Sequence, residues 1–220
     1  LWRGTGASFV ILPENEDKFY TAKLFKDLNI SGIFTITELI GRYLKNAGKK
    51  GLISKQVLES LLGSIISRSS MPYFKIEEYK QGYVKALTDF IYNFQRTSTT
   101  DLQSAIGIFK NGRLTLKEKD LIKIYAEYEA KLPEYGFDLK SGLAEFIRQT
   151  DAENIRRLLG IPENGRVIFA GFDYISPLED QFIMTVFQKV GGTAFLTCEN
   201  PAAPEQAVRI RKNVVNLLER

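Results

Sequence analysis

Hydrophobic positions at the two ends of the chain fall into short apolar runs separated by segments of helical periodicity. Four runs rich in β-branched and aromatic residues predict strands at Ala7–Leu12, Gly32–Ile36, Arg166–Gly171 and Thr193–Cys198. Runs of this kind, bounded by turn residues, are typical of strands buried on both faces of a parallel sheet. Helical spacing follows the first three runs, and strands alternating with helices indicate an α/β sheet.

The middle of the chain has a different pattern. Between residues 54 and 159 the apolar positions recur only at helical spacing. Thr115 and Glu118 form a capping-box pattern that predicts the start of a helix, and Pro133 and Gly136 predict its end. This segment therefore predicts a block of helices.

The helix between the last two predicted strands carries its own boundary signals. Ser176 suits the N-cap position, Pro177 suits the first helical position, and Gly191 follows the last periodic residue. Such a helix provides the crossover that two parallel strands require. The sequence thus predicts a parallel α/β domain built from residues 1–50 and 160–220, interrupted by an all-helical insertion at 51–159.

Composition narrows the class of protein. The chain has 220 residues, 44% hydrophobic and 25% charged, as in ordinary globular proteins. We find no run of 18 apolar residues and therefore expect no membrane-spanning segment or membrane partner. A single cysteine, Cys198, fits a reducing, cytoplasmic setting. Because the chain begins at Leu1, we expect it to be a fragment of a longer protein.

Candidate nucleotide chemistry is sparse. Gly4–Gly6 is followed directly by a strand, whereas a phosphate-binding loop follows a strand and ends in Lys-Ser/Thr. Nucleotide hydrolases carry an aspartate at the end of a strand such as 166–171, but Ala170 and Gly171 stand here. Asp173 lies beyond them, and we interpret it as structural. The sequence therefore predicts no catalytic, cofactor-binding or metal-binding residue, and the absence of histidine agrees with that prediction.

Basic residues give the candidate DNA-binding positions. The net charge of +4 permits contact with nucleic acid, and phosphate neutralisation requires cations on one face. The basic residues come in three groups: Lys45, Lys49, Lys50 and Lys55; then Lys110, Arg113, Lys117, Lys119 and Lys123; and last Arg209, Arg211 and Lys212. The candidates for DNA binding are Lys45, Lys49, Lys50, Lys110, Arg113 and Lys117. Glu118 and Asp120 are interleaved with the second group, which leaves a solvated helix surface as the alternative interpretation. Tyrosines at helical spacing are expected in the core: Tyr79, Tyr83, Tyr125 and Tyr128.

Several segments together resemble one protein family. Phe9–Glu14, Phe34–Leu39, Asp120–Asp138 and Val167–Glu179 are similar to segments of the AddB-type subunit of bacterial ATP-dependent helicase/deoxyribonucleases, the RecB-like recombination nucleases. The Val167–Glu179 segment is the best match. The similar segments occur in the family's order, with the helical block between them.

This resemblance implies a RecA-like sheet with a helical insertion, as in the first motor domain of superfamily-one helicases. It implies a parent protein that acts as an ATP-dependent exodeoxyribonuclease in double-strand-break repair, with DNA and a helicase motor subunit as partners. ATP, magnesium and often an iron–sulfur cluster serve that family, outside this stretch. Since Ala170 and Gly171 replace the Asp-Glu pair of active motors, the resemblance implies a non-hydrolysing region that guides DNA or docks the motor.

Two other interpretations stay open. The chain could belong to a working ATPase whose phosphate loop lies upstream of Leu1 and whose metal is held by Asp173. Alternatively, it could be an α/β protein-interaction module unrelated to nucleic acid.

Overall fold

The computed structural model describes most of the chain. The described residues are 8–13, 23, 30–68, 71–74, 80–110, 113–163, 165–172 and 175–194. They form four strands: β1 (Ser8–Leu12), β2 (Ile30–Thr35), β3 (Arg166–Phe169) and β4 (Thr193–Ala194). They also form eight helices: α1 (Ile36–Asn46), α2 (Lys55–Arg68), α3 (Lys80–Thr97), α4 (Leu102–Lys110), α5 (Leu116–Tyr135), α6 (Leu139–Gln149), α7 (Ala152–Leu159) and α8 (Pro177–Val190).

All four strands lie in one parallel sheet, in the order β2-β1-β3-β4. The two central strands come from opposite ends of the sequence, since Ser8 pairs with Arg166 and Ile11 pairs with Phe169. The protein is thus mixed α/β, with a small parallel sheet and mostly helices. The predicted α/β class is confirmed at this level.

Burial explains why these residues form the centre of the sheet. Every residue of β1 is buried, as predicted for a strand covered on both faces. Val10 and Leu12 pack with Ile168 and Ala170 in one apolar cluster. Hydrophobic burial of this kind contributes roughly 25 cal/mol for each Å² removed from water, so β1 and β3 anchor this part of the core.

The predicted strand Gly32–Ile36 ends one residue earlier than expected. β2 ends at Thr35, and α1 begins directly at Ile36. Thr35 acts as the cap: its hydroxyl accepts a hydrogen bond from the Glu38 amide at 3.3 Å, and its own amide donates to the Glu38 carboxylate at 2.9 Å. This reciprocal pair satisfies two backbone donors that a helix start otherwise leaves open.

The chain divides into two compact units. One contains the sheet and is built from the chain up to Tyr43 and from Ile147 onward. The other, Leu44–Phe146, is called the helical unit below. Its core is formed by apolar side chains from α2 to α5, including Leu62, Ile91, Ile124 and Tyr128.

The predicted end of α5 is confirmed within its last turn. Pro133 and Gly136 were the predicted end signals, and the helix runs through Pro133 to Tyr135, directly before Gly136. Pro133 removes one N–H donor from this last turn. Gly136 follows the helix as predicted, and its amide donates to the carbonyl of Leu132 at 3.0 Å.

None of the helices in the described part of the chain is long and apolar enough to cross a bilayer.

Candidate functional site

The carboxyl ends of β1 and β3 form a topological switch point. The chain leaves β1 toward β2 on one side, whereas β3 is followed by β4 on the other side. Open α/β sheets bind ligands in the crevice that such a divergence creates. A ligand-binding site is therefore expected at this edge of the sheet.

The described residues at this edge are apolar. Pro13 follows β1, while Ala170, Gly171 and Phe172 follow β3. The Ala170 amide donates to the carbonyl of Ile11 at 3.1 Å, and Phe172 is 1% exposed. Asp173, which we interpret as structural, lies outside the described residues.

The N-terminus of α8 is closed by its own side chains. The Ser176 hydroxyl accepts from the Glu179 amide, and the Glu179 carboxylate accepts from the Ser176 amide at 2.9 Å. Ser176, Pro177 and Gly191 thus occupy their predicted capping positions. With the Glu179 carboxylate bound to the Ser176 amide and Asp180 next in the first turn, this helix end opposes a phosphate group rather than attracting one.

Groups for metal binding are also missing from the part of the chain that the structure describes. It contains no cluster of three or more aspartate, glutamate, cysteine or histidine side chains placed to hold an ion.

The first basic group is largely engaged within the helical unit. Lys49 forms an ion pair with Glu145, with 2.5 Å between Nζ and Oε1. Lys50 donates to the carbonyls of Pro133 and Glu134, at 3.1 and 2.8 Å. Lys45 is exposed at the end of α1. Two of these three candidate DNA-binding residues therefore have structural partners in the protein itself.

The second basic group lies around the start of α5. Arg113 and Lys117 are exposed. Lys110 is the last residue of α4, and its side chain lies outside the described set. The Lys117 ammonium lies 5.9 Å from the centre of the Tyr73 ring.

Two exposed tyrosines flank a buried phenylalanine beside this lysine. Tyr73 is 48% exposed, Tyr83 is 44% exposed and Phe74 is 6% exposed. The Phe74 ring contacts both tyrosines edge to face, at centroid distances of 5.1 Å to Tyr73 and 5.9 Å to Tyr83. We call Tyr73, Phe74, Tyr83 and Lys117 the tyrosine surface.

At the tyrosine surface one sequence prediction is wrong, and one residue that the sequence analysis did not single out is present. Tyr79, Tyr83, Tyr125 and Tyr128 were expected in the core. Tyr125 and Tyr128 are buried, Tyr83 is exposed, and Tyr79 lies outside the described residues. Helical spacing places Tyr83 on the predicted apolar face of α3. Because Tyr83 lies near the start of that helix, its ring contacts Phe74 and is partly exposed to water. Sequence reasoning missed Tyr73, because a single aromatic residue outside a periodic segment gives no pattern.

The acids interleaved with the second basic group have structural roles. The Asp120 carboxylate is 5% exposed and accepts hydrogen bonds from the amides of Tyr73 and Phe74, at 2.7 and 3.3 Å. The Glu118 carboxylate accepts from the amide and hydroxyl of Thr115, at 2.7 and 2.8 Å, which confirms the predicted capping box. Both carboxylates are thus directed at protein donors, while Arg113 and Lys117 are exposed to solvent.

A shallow cleft of about 600 Å³ lies in the other unit, lined by Glu153, Arg156, Arg157, Ile161 and Glu163. Its arginines are tied to the protein. Arg156 donates to the carbonyls of Pro162, Glu163 and Val190 at 3.2 to 3.3 Å, and Arg157 donates to Asn154. The two arginines therefore anchor the neighbouring loop. The charged residues that line the cleft are of both signs, and neither sign dominates.

No protein-family model matches the chain, and no curated protein matches it significantly.

Proposed function

We propose that this chain is a non-hydrolysing, helicase-like region of a DNA-repair helicase–nuclease subunit, with a RecA-like sheet as scaffold and a helical unit that contacts DNA. The observation that carries the proposal is the joining of β1 and β3 in one parallel sheet, across a helical unit that separates them in sequence. That arrangement is what the resemblance to the AddB-type subunits requires.

The proposed lack of hydrolysis rests on the end of β3. A nucleotide hydrolase needs a carboxylate there to hold magnesium and orient water, and this chain has Ala170 and Gly171. The capping acid Glu179 further disfavours phosphate at the adjacent helix start. ATP, magnesium and an iron–sulfur cluster would belong to other parts of the parent protein or to its motor partner.

The proposed DNA contact rests on the second basic group. Between residues 113 and 123 cations outnumber acids by four to two, and both acids serve the structural contacts described above. The first group contributes less, since Lys49 and Lys50 have partners within the protein. Arg113 and Lys117 are therefore the main contacts that we propose for the phosphate backbone.

The test is fluorescence anisotropy with single-stranded and forked DNA over a salt series. We expect binding that weakens steeply with salt, and Lys117→Glu should weaken it and lower the slope of log K against log salt by about one. Lys131→Glu is the matched control, because it makes the same charge change on α5 roughly 20 Å farther along the helix. No binding at low salt, or equal effects of the two variants, would contradict the proposal.

The alternatives have separate readouts. Magnesium-dependent ATP hydrolysis by the longer chain, lost on Asp173→Ala, would support the working ATPase. A protein partner captured equally well after nuclease treatment, together with no DNA binding, would support the protein-interaction module.

A further inference from the structure

We infer that the tyrosine surface is a base-stacking site for single-stranded DNA. This inference rests on the proposed function, because it names the form of DNA that the helical unit binds and the residues that bind it. The surface combines the two features that single strands need, which are exposed aromatic rings and a neighbouring cation.

The exposed rings are fixed in place by the protein. Phe74 is buried and packs against both Tyr73 and Tyr83 with its ring nearly perpendicular to theirs, at 85° and 80°, so it holds each tyrosine ring in place. About half of each tyrosine remains in contact with water. Burying such a ring against a base removes apolar surface from water and costs little side-chain entropy, since tyrosine has two rotatable bonds.

The cation is placed for the backbone of a stacked strand. The Lys117 ammonium lies over the Tyr73 ring, 5.9 Å from its centre. A solvent-exposed cation–π contact is weak, so the ammonium can exchange the ring for a phosphate at little cost. Arg113 is also exposed, just before the same helix, and adds positive charge at this end of α5.

The protein itself holds the backbone of Tyr73 and Phe74 in place. The buried Asp120 carboxylate holds the amides of both Tyr73 and Phe74. Asp120 lies three residues after Lys117 on α5, so one helix positions both the ring and the cation. Preorganisation of this kind lowers the entropy lost on binding.

A single strand fits this surface better than a duplex or an acidic peptide. Bases in a duplex stack on one another, and their faces are not available to a protein ring. An acidic peptide would use the lysine but would gain nothing specific from the flat rings. The ligand must therefore present both negative charge and free aromatic faces.

The experiment uses the full chain and three labelled ligands of equal length at low salt: a thymidine oligomer, the same strand with abasic sites, and a duplex. We expect the thymidine oligomer to bind roughly ten-fold more tightly than the abasic strand. Tyr73→Leu should remove most of that difference, whereas Tyr73→Phe should keep it because the ring remains. Tyr135→Leu, at an exposed tyrosine at the other end of α5, is the matched control and should change nothing.

The outcomes separate this inference from the proposed function. Equal, salt-dependent binding of the thymidine and abasic strands would overturn stacking and leave phosphate contact standing. No binding of any ligand would overturn both. Competition by polyglutamate as effective as by unlabelled thymidine oligomer would also overturn stacking. Circular dichroism of Tyr73→Leu, and of Tyr83→Leu as a second variant, checks that any lost affinity does not come from unfolding.

Discussion

The carboxylate of Asp120 accepts the backbone amide of Tyr73 at 2.7 Å, across 47 residues of sequence. The same oxygen accepts the amide of Phe74 at 3.3 Å. A helix side chain thus satisfies the backbone of a short segment that has no secondary structure of its own. The relationship ties the stability of the helical unit to the placement of the tyrosine surface.

Asp120→Ala should destabilise the protein by about 2–3 kcal/mol, because it leaves backbone donors without an acceptor in a buried place. Asp120→Asn keeps one side-chain oxygen and should cost about 1 kcal/mol. Urea unfolding followed by circular dichroism measures both. Lys119→Ala, an exposed neighbour, should stay within about 0.5 kcal/mol of the parent. Equal stability of Asp120→Ala and the parent would show that the two hydrogen bonds contribute little.

Lys49→Met should lower the stability of the protein. It should weaken DNA binding by no more than the loss of one positive charge would. The Glu145 side chain is 10% exposed and that of Lys49 is 33% exposed, so the pair is partly shielded from water. Removing the lysine should cost about 1–2 kcal/mol, less than for a fully buried pair. Thermal unfolding and anisotropy measured on the same samples check both statements.

Lys45→Met is the control for the loss of a lysine from the same basic group. Lys45 is exposed at the end of α1, and its replacement should leave stability nearly unchanged. If Lys49→Met were instead neutral for stability and strongly weakened DNA binding, the ion pair would be incidental and Lys49 would be a DNA contact.

Features encoded locally could be predicted from the sequence, and those that depend on distant partners could not. The capping boxes at Thr115 and Ser176 involve residues three positions apart, so a short sequence window contains all of their chemistry. The buried strand β1 was equally visible, because its apolar run has no polar interruption. By contrast, Lys49 pairs with Glu145, which is 96 residues away in sequence, and no local sequence pattern predicts that ion pair.

The candidate site, too, could be predicted only where its features are encoded locally. Arg113 and Lys117 were identifiable as basic residues near a helix start, but their aromatic neighbours were not. Tyr73 stands outside a periodic segment, and the exposure of Tyr83 depends on how its ring rests on Phe74. The role of Asp120 also reversed: in the sequence it counted against a basic surface, whereas in the structure it positions that surface.

Gly136→Ala should destabilise the protein by at least about 2 kcal/mol. Gly136 has a φ of 153°, and a Cβ at this position would lie 2.5 Å from the carbonyl oxygen of Gly51. That carbonyl accepts the amide of Phe137 at 3.1 Å, next to the parallel bridge between Leu52 and Phe137. The larger residue would force apart two backbone segments that hydrogen-bond to each other.

Gly63→Ala is the matched control for the glycine variant. Gly63 lies inside α2, and its added Cβ would meet Val84 Cγ1 at an ordinary 3.9 Å. Alanine favours a helix interior over glycine by about 1 kcal/mol, so this variant should be more stable than the parent. Thermal unfolding should therefore shift in opposite directions for the two variants, and a shift in the same direction would contradict the steric argument.

Tyr128 makes the stability of the helical unit sensitive to alkaline pH. Burial raises the pKa of Tyr128 far above its ordinary value of 10.0, and the negative charge of Asp138 raises it further. Burial likewise raises the pKa of Tyr125. Both hydroxyls therefore keep their protons in the folded protein at a pH where unfolded tyrosines lose theirs. Their contribution is complete below about pH 10 and is lost as pH rises above it, because the unfolded state then binds fewer protons.

Tyr128→Phe tests this dependence and separates it from the hydrogen bond. The Tyr128 hydroxyl donates to the Asp138 carboxylate at 3.1 Å, so near neutral pH the variant should be less stable by about 1 kcal/mol. Above pH 10 the parent should lose stability faster than the variant, by about 1.4 kcal/mol per pH unit for the one missing ionisation. Lysines titrate in the same range but are shared by both proteins, so their effect cancels in the difference. Urea unfolding between pH 8 and 11.5 should thus give two curves that converge above pH 10 and then cross. Parallel curves would show that Tyr128 ionises as readily in the folded protein as in the unfolded chain.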